Sequence, residues 1–250
     1  MPGSAARPKR RRPYTAQHAE RKGMDMSNAL SDGVEAAIRT HKVIAIVRGV
    51  KPELLLQTAQ ALEAGGIRLM EITFDHRSPG GIQDTLRGIS LLRERMGDRL
   101  RLGAGTVLSV REAEEACAAG AAYIISPNAD REVIRRTKEL GMLSLPGAMT
   151  PTEAVVAHQA GADFVKIFPI GVLGSGYLKQ LTAPLPHIPF LAVGGVDGSN
   201  ARAYLEAGAA GVGVGSSLTQ AAWLREGRFD RMEEAARQLV RQLSDSGPLR

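Results

Sequence analysis

The sequence has a single cysteine, a single tryptophan and only 4% aromatic side chains among its 250 residues. A lone Cys117 excludes an internal disulfide framework and a cysteine-based zinc centre. His18, His41, His76, His158 and His187 share no metal-ligand spacing, so no metal is expected. The apolar stretches are short and broken by glycine or charge, well below the roughly 18–20 residues of a membrane span. The first apolar run is followed by Arg48-Gly49-Val50-Lys51-Pro52, not by the Gly-x-Gly-x-x-Gly turn that a doubly wound open sheet normally carries there.

An excess of positive charge is also missing where it would matter. The net charge is +6, but residues 1–26 hold seven basic side chains (Arg7, Lys9, Arg10, Arg11, Arg12, Arg21, Lys22) against Glu20 and Asp25, a net of +5. The rest of the chain is left with +1. Rich in Pro, Ala, Ser and Arg and without hydrophobic period, this tail is expected to be disordered. It lacks the apolar core of a secretory signal. Its role stays open between a transit peptide or nucleic-acid arm and a nonessential extension or over-long reading frame, with true initiation at Met24 or Met26. Ser31 and Asp32 are candidate caps for a helix through Val34-Glu35-Ala36-Ala37-Ile38.

What is present is alternation. β-Branched or apolar runs stand at Val43–Val47, Leu69–Thr73, Leu100–Gly105, Tyr123–Ser126, Leu143–Leu145, Phe164–Phe168, Phe190–Val193 and Gly211–Val214. Segments of helical period lie between them, such as Pro52–Ala64, Arg111–Ala119, Asp130–Leu140 and Thr152–Ala160. Ala-Gly or Leu-Gly pairs close these segments at Gly65, Gly120, Gly141, Gly161 and Gly208. Eight strands joined by helices predict parallel pairing and a single α/β domain over 27–250, a (β/α)8 TIM barrel. Residues 221–250 read as an extended terminal helix.

In such a barrel the chemistry sits at the C-terminal ends of the strands. Lys166 interrupts Phe164-Val165-Lys166-Ile167-Phe168-Pro169. An apolar setting would leave its amine neutral and able to attack a carbonyl; the alternative is a strand-end lysine reaching solvent or a structural carboxylate. Glu71 intrudes in the second run, across the barrel from the sixth, and could move protons there. Its alternative is a structural ion pair with Lys166 or Arg48. Arg48, ending the first run, suits a substrate carboxylate. The last two loops, Val193-Gly194-Gly195-Val196 and Val212-Gly213-Val214-Gly215-Ser216-Ser217, suit a phosphate group held by backbone N–H groups. Cys117 and the methionines read as packing residues, and His158 as a residue on a helix exterior.

These elements together resemble the 2-keto-3-deoxy-6-phosphogluconate (KDPG) aldolases and their 4-hydroxy-2-oxoglutarate (KHG) aldolase relatives. The likeness rests on Ile44-Ala45-Ile46-Val47-Arg48-Gly49, Met70-Glu71-Ile72-Thr73-Phe74, Gly103-Ala104-Gly105-Thr106-Val107-Leu108, Ile125-Ser126-Pro127-Asn128, Leu145-Pro146-Gly147, Val165-Lys166-Ile167-Phe168-Pro169, Ala192-Val193-Gly194-Gly195-Val196 and Gly213-Val214-Gly215-Ser216. It implies a metal-independent, class I retro-aldol cleavage with no cofactor. Lys166 would be the Schiff-base lysine and Glu71 the general acid/base. Thr106, Pro127 and Phe168 would line the pyruvate half, and Gly194, Gly195, Gly215 and Ser216 the phosphate end. Many members carry Arg four residues after that glutamate, whereas this chain has Asp75, with Arg77 the nearest basic side chain; Arg48 is then expected to meet the substrate carboxylate. The resemblance further implies a cytoplasmic homotrimer acting on a small phosphorylated 2-keto acid, with no nucleic-acid or membrane partner. The galactonate epimer as substrate, another phosphate-binding barrel enzyme and a non-catalytic binding protein remain the alternatives.

Overall fold

The computed structural model describes residues 33–244. The basic tail expected over 1–26 and the caps Ser31 and Asp32 lie outside the described residues. The apolar runs form parallel strands β1 (Val43–Val47), β2 (Leu69–Thr73), β3 (Arg101–Gly105), β4 (Tyr123–Ile125), β5 (Leu143–Leu145), β6 (Gly147–Ala148), β7 (Val165–Ile167), β8 (Phe190–Val193) and β9 (Gly211–Val214). Their spatial order is β5-β4-β3-β2-β1-β9-β8-β7-β6. Because only Pro146 separates β5 from β6, the sheet closes into the expected barrel. Nine strands appear where eight were expected, since Pro146 has no N–H to donate and breaks the fifth strand in two. Its carbonyl still accepts from Lys166 N at 2.9 Å, which carries the pairing across the break.

The connecting helices are α1 (33–41), α2 (Pro52–Ala64), α3 (Gly81–Met96), α4 (Val110–Ala118), α5 (Arg131–Glu139), α6 (Pro151–Gln159), α7 (Gly174–Thr182), α8 (Ala201–Glu206), α9 (Ala221–Glu226) and α10 (Phe229–Ser244). Local chemistry sets their starts. Ser109 caps α4, Asp130 caps α5, and Thr150 with Glu153 forms a capping box on α6. The single long terminal helix expected over 221–250 is two helices among the described residues. Gly227, in the left-handed conformation at φ 65°, ends α9 before α10 turns back along α2.

Side-chain alternation divides the apolar residues into two cores. Met70, Ile72, Val165 and Ile167 face outward into the layer between strands and helices. Leu69, Tyr123, Phe164 and Leu191 fill the barrel interior, and Val34 and Ile38 of α1 close its bottom. Each fully buried Leu or Phe contributes about 1.5–3 kcal/mol. The same period of two decides where the intruding charges go. Glu71 lies between outward Met70 and Ile72, and Lys166 between outward Val165 and Ile167, so both point inward.

Candidate active site

Both inward charges are buried: Glu71 is 1% exposed and Lys166 6%. No ion pair within 4.0 Å joins them, or joins Glu71 to Arg48, among the described residues. Glu71 Oε2 is buried without a hydrogen-bond partner. Burial pushes the Glu71 carboxyl above its usual range, with Lys166 and then Arg48 pulling it back. Burial likewise pushes Lys166 down; Glu71 opposes that shift and Arg48 reinforces it. Both groups are thus pushed toward neutrality, the carboxyl toward its acid and the ammonium toward its free amine. The Lys166 nitrogen stands 4.7 Å from the centre of the Phe168 ring, which can stabilise it whenever it becomes cationic.

Room for the Glu71 carboxyl comes from glycine on the next strand. β2 and β3 pair Glu71 with Gly103 and Thr73 with Gly105. A Cβ at Gly105 would lie 1.7 Å from Glu71 Oε1, and one at Gly103 would lie 2.1 Å from the Tyr123 ring. The inner wall of β3 is therefore bare, and the side chains of β2 and β4 lean over it. Thr106 follows directly, at φ 59°. That is a left-handed conformation seldom taken by a β-branched residue, and strain of this kind clusters at functional sites. Its carbonyl meets His76 Nε2 at 2.9 Å.

Above the pair opens a cavity of about 830 Å³. Arg48, Glu71, Lys166, Phe168, Gly194, Gly195, Gly215 and Ser216 all line it. Thr106 and Pro127 do not; Pro127 backs onto Gly147, whose Cβ would meet the Pro127 carbonyl at 2.2 Å. The Gly194-Gly195 loop is tied to the segment after β7, with Gly171 N donating to Gly194 O at 2.8 Å. Asn200 Nδ2 donates to Gly195 O at 2.9 Å and braces the loop from the far side. Gly194 has φ 90° and its missing Cβ would lie 2.9 Å from Phe168, so only glycine fits there.

The lining also includes Ser217, from the last glycine loop, and Arg77, Asp197, Thr219 and Gln220, which were not expected as site residues. Their signal was position: each follows the C-terminal end of an inward-facing strand. Arg77 is held by Asp75 in a two-pronged contact, at 2.8 Å through Nε and 3.3 Å through Nη2. In return that guanidinium holds the Asp75 carboxyl down at about 2. Asp197 turns back on its own loop, accepting from Ser199 N at 2.8 Å and Ser199 Oγ at 2.6 Å. Elsewhere, Cys117 is half-buried and burial raises its thiol pKa, in keeping with a packing role. His158 is not on the helix exterior: its Nδ1 is buried and its ring meets His187 edge-on at 5.4 Å. Among the described residues no three His, Cys, Asp or Glu side chains form a metal-holding cluster, and no helix is long and apolar enough to cross a membrane.

A closed parallel barrel with its polar groups gathered at the C-terminal mouth is, as a class, a barrel enzyme. Which kind follows from comparison with known proteins. A family model described as KDPG and KHG aldolase matches residues 34–235. The 2-dehydro-3-deoxy-6-phosphogalactonate aldolase of Escherichia coli K12 is 39% identical over 72% of this chain and 85% of its own. The 2-dehydro-3-deoxy-phosphogluconate aldolase of Treponema pallidum is 34% identical over 68% of this chain and 78% of its own. The crystal structure of the Legionella pneumophila KDPG aldolase, with pyruvate captured as a covalent carbinolamine, superposes with a TM-score of 0.73. It is 28% identical, covering 82% of this chain and 97% of that one. The chain belongs to the KDPG and KHG aldolase family, and is therefore a lyase.

Proposed function

We propose that this chain is a class I aldolase that cleaves 2-keto-3-deoxy-6-phosphogluconate to pyruvate and glyceraldehyde 3-phosphate through a Schiff base on Lys166, with 4-hydroxy-2-oxoglutarate as a second substrate. The observation that carries it is the buried, unbridged Lys166–Glu71 pair opening into the same cavity as the two glycine loops. The proton inventory then closes. Neutral Lys166 adds to the C2 carbonyl, and the Glu71 acid protonates the carbinolamine hydroxyl, which leaves as water. This gives an iminium beside a carboxylate. That carboxylate accepts the C4 hydroxyl proton as the C3–C4 bond breaks, its electron pair passing into the iminium to form an enamine, and the aldehyde leaves. Glu71 returns the proton to C3, and water releases pyruvate from Lys166.

Arg48 is assigned to the substrate carboxylate, the Gly194-Gly195 and Gly215-Ser216 loops to the phosphate and Phe168 to the pyruvate half, with Thr106 and Pro127 outside the cavity lining. No metal or cofactor enters this scheme. A second reading, cleavage of the galactonate epimer, is favoured by the 39% identity to the Escherichia coli 2-dehydro-3-deoxy-6-phosphogalactonate aldolase. The homotrimer belongs with the proposal; Val172, three-quarters exposed, and Met149 leave apolar surface beside the mouth that suits contact between copies. So does the cytoplasmic location. Borohydride with pyruvate should fix an adduct on the tryptic peptide containing Lys166, and no adduct on folded protein would overturn the reading. Rates of pyruvate release from the gluconate, its epimer and 4-hydroxy-2-oxoglutarate then rank the substrates.

A further inference from the structure

Among the described residues, three buried side-chain polar atoms lack a hydrogen-bond partner: Glu71 Oε2, Tyr123 Oη and His158 Nδ1. Two of these three belong to inward-facing residues at one level of the barrel. Register places Glu71, Gly103 and Tyr123 in a row across β2, β3 and β4, all facing inward. Because the middle residue has no side chain, the Tyr123 ring lies directly over it, its Cε2, Cδ2 and Cζ at 2.1, 2.3 and 2.5 Å from where a Cβ would stand. The ring thus crosses β3, and its hydroxyl ends against β2 beneath Glu71, whose carboxyl covers Gly105 one pleat higher. The Met70 amide faces this hydroxyl from β2 and can only donate to it, so the O–H itself is left without an acceptor. Burial, and next the Glu71 carboxylate, keep the phenol protonated, so its O–H is a donor without an acceptor, one pleat below a carboxyl oxygen that also lacks a partner.

A fully buried aromatic residue in a core needs no hydroxyl, and leaving one unpaired costs about 1–3 kcal/mol. Phenylalanine would fill the same space at no such cost. We propose that Tyr123 is a positioning residue for Glu71: its hydroxyl donates to the Glu71 carboxylate when that group ionises during turnover, fixing its orientation and stabilising its charged form. The inference rests on the Schiff-base reading and adds to it a third residue that touches no substrate. Around Glu71, the other titratable or charged groups are Lys166 from β7 and Arg48 after β1. Neither donates to Oε2.

Tyr123→Phe keeps the ring over Gly103 and removes only the hydroxyl. Loss of the donor disfavours the carboxylate, so the acidic limb of the kcat–pH profile should move upward by about one unit, the size expected for one hydrogen bond to a charged group. KM should stay within about twofold and the melting temperature should hold or rise, since an unpaired buried hydroxyl is lost. Exchange of pyruvate C3 protons for deuterium, followed by NMR, reads Glu71 proton transfer without the cleavage substrate and should shift in the same direction. Tyr123→Leu, which lacks both ring and hydroxyl, should show the same limb shift with a lower melting temperature. Superimposable profiles for wild type and Tyr123→Phe would overturn the inference, as would a fall in stability with the profile unmoved. A wild-type protein that neither exchanges pyruvate protons nor forms the borohydride adduct would instead overturn the Schiff-base reading, so the two failures are distinct.

Discussion

Replacing Gly105 by alanine sets a methyl group where the Glu71 carboxyl now lies, with Oε1 1.7 Å and Cδ 2.3 Å from the new carbon. The backbone of β3 accepts alanine there, since Gly105 is not among the glycines with positive φ. The obstacle is a movable side-chain end, so the fold should survive. Reduced chain entropy gives about 0.4–1 kcal/mol, and crowding takes back a comparable amount, leaving stability within about 1 kcal/mol of wild type. Activity should not survive as well. The carboxyl must shift by more than an ångström, and misplacement of that size costs about 10²-fold, rising toward the ~10⁴-fold ceiling for removal of a general acid/base. Gly103→Ala is the contrasting case. Its methyl would meet the Tyr123 ring at 2.1 Å, and that ring is wholly buried. Overpacking there should cost about 1–3 kcal/mol, or roughly 2–12 °C in Tm at this chain length. Pyruvate release by a coupled assay, with melting curves on each variant, separates the two effects. In a Glu71→Ala background, Gly105→Ala should cost nothing further. Wild-type kcat in Gly105→Ala, or full additivity with Glu71→Ala, would refute the argument that Gly105 exists to seat the carboxylate.

Lys166→Met should abolish adduct formation and cleavage while raising Tm, because a buried amine is exchanged for an apolar side chain of similar length. Lys166 sheds its proton at lower pH in the folded protein than in the unfolded chain, so the unfolded state binds more protons between those two values and wild-type stability climbs with pH there. The Tm advantage of Lys166→Met should accordingly shrink as pH approaches the ordinary lysine value, and a constant advantage would count against a depressed Lys166. Arg48→Gln removes a positive charge that lowers the Lys166 pKa, so half-maximal trapping of pyruvate by borohydride should move to higher pH; an unmoved midpoint would show that Arg48 does not act on the amine. Thr106→Gly relieves the φ 59° conformation, worth about 1–2 kcal/mol for a non-glycine residue. Tm should hold despite the added chain freedom, while KM for pyruvate in the exchange assay rises. A simple loss of stability would show that the strain is imaginary.

Much of this fold was legible because hydrophobic period and turn chemistry agreed. Val43–Val47, Leu69–Thr73, Leu143–Leu145, Phe190–Val193 and Gly211–Val214 end where the sequence runs end. Phe164 and Phe168 read as strand yet flank β7, because apolar character continues past the hydrogen-bonded ladder into the barrel's inner layers. The break at Pro146 was visible as a residue but not as a split strand, since nothing local says that both halves stay in one wall. Residues of the candidate site were legible when they violated their surroundings, as Lys166 and Glu71 do in apolar runs. Arg77 and Asp197 violate nothing in polar loops. Only the folded path of the chain brings them to the cavity.

Gly103 and Gly105 show a different limit. As letters they mark a loop or a weak strand, and glycine in a strand interior usually lowers stability. In the barrel they are the space that two neighbouring strands use, one for a carboxyl and one for a phenol. The cost of that space and the cost of the buried charges belong to one account. Desolvation that would be wasteful in an ordinary core drives Glu71 toward the acid and Lys166 toward the amine, the protonation states that the proposed carbinolamine formation and dehydration would need. An ion pair between them would lower the energy of the resting protein and remove both groups from the proposed first step. Keeping the two apart across a glycine-walled interior, with no bridging contact, is therefore the arrangement in which instability of the ground state and readiness for the first chemical step have the same physical source.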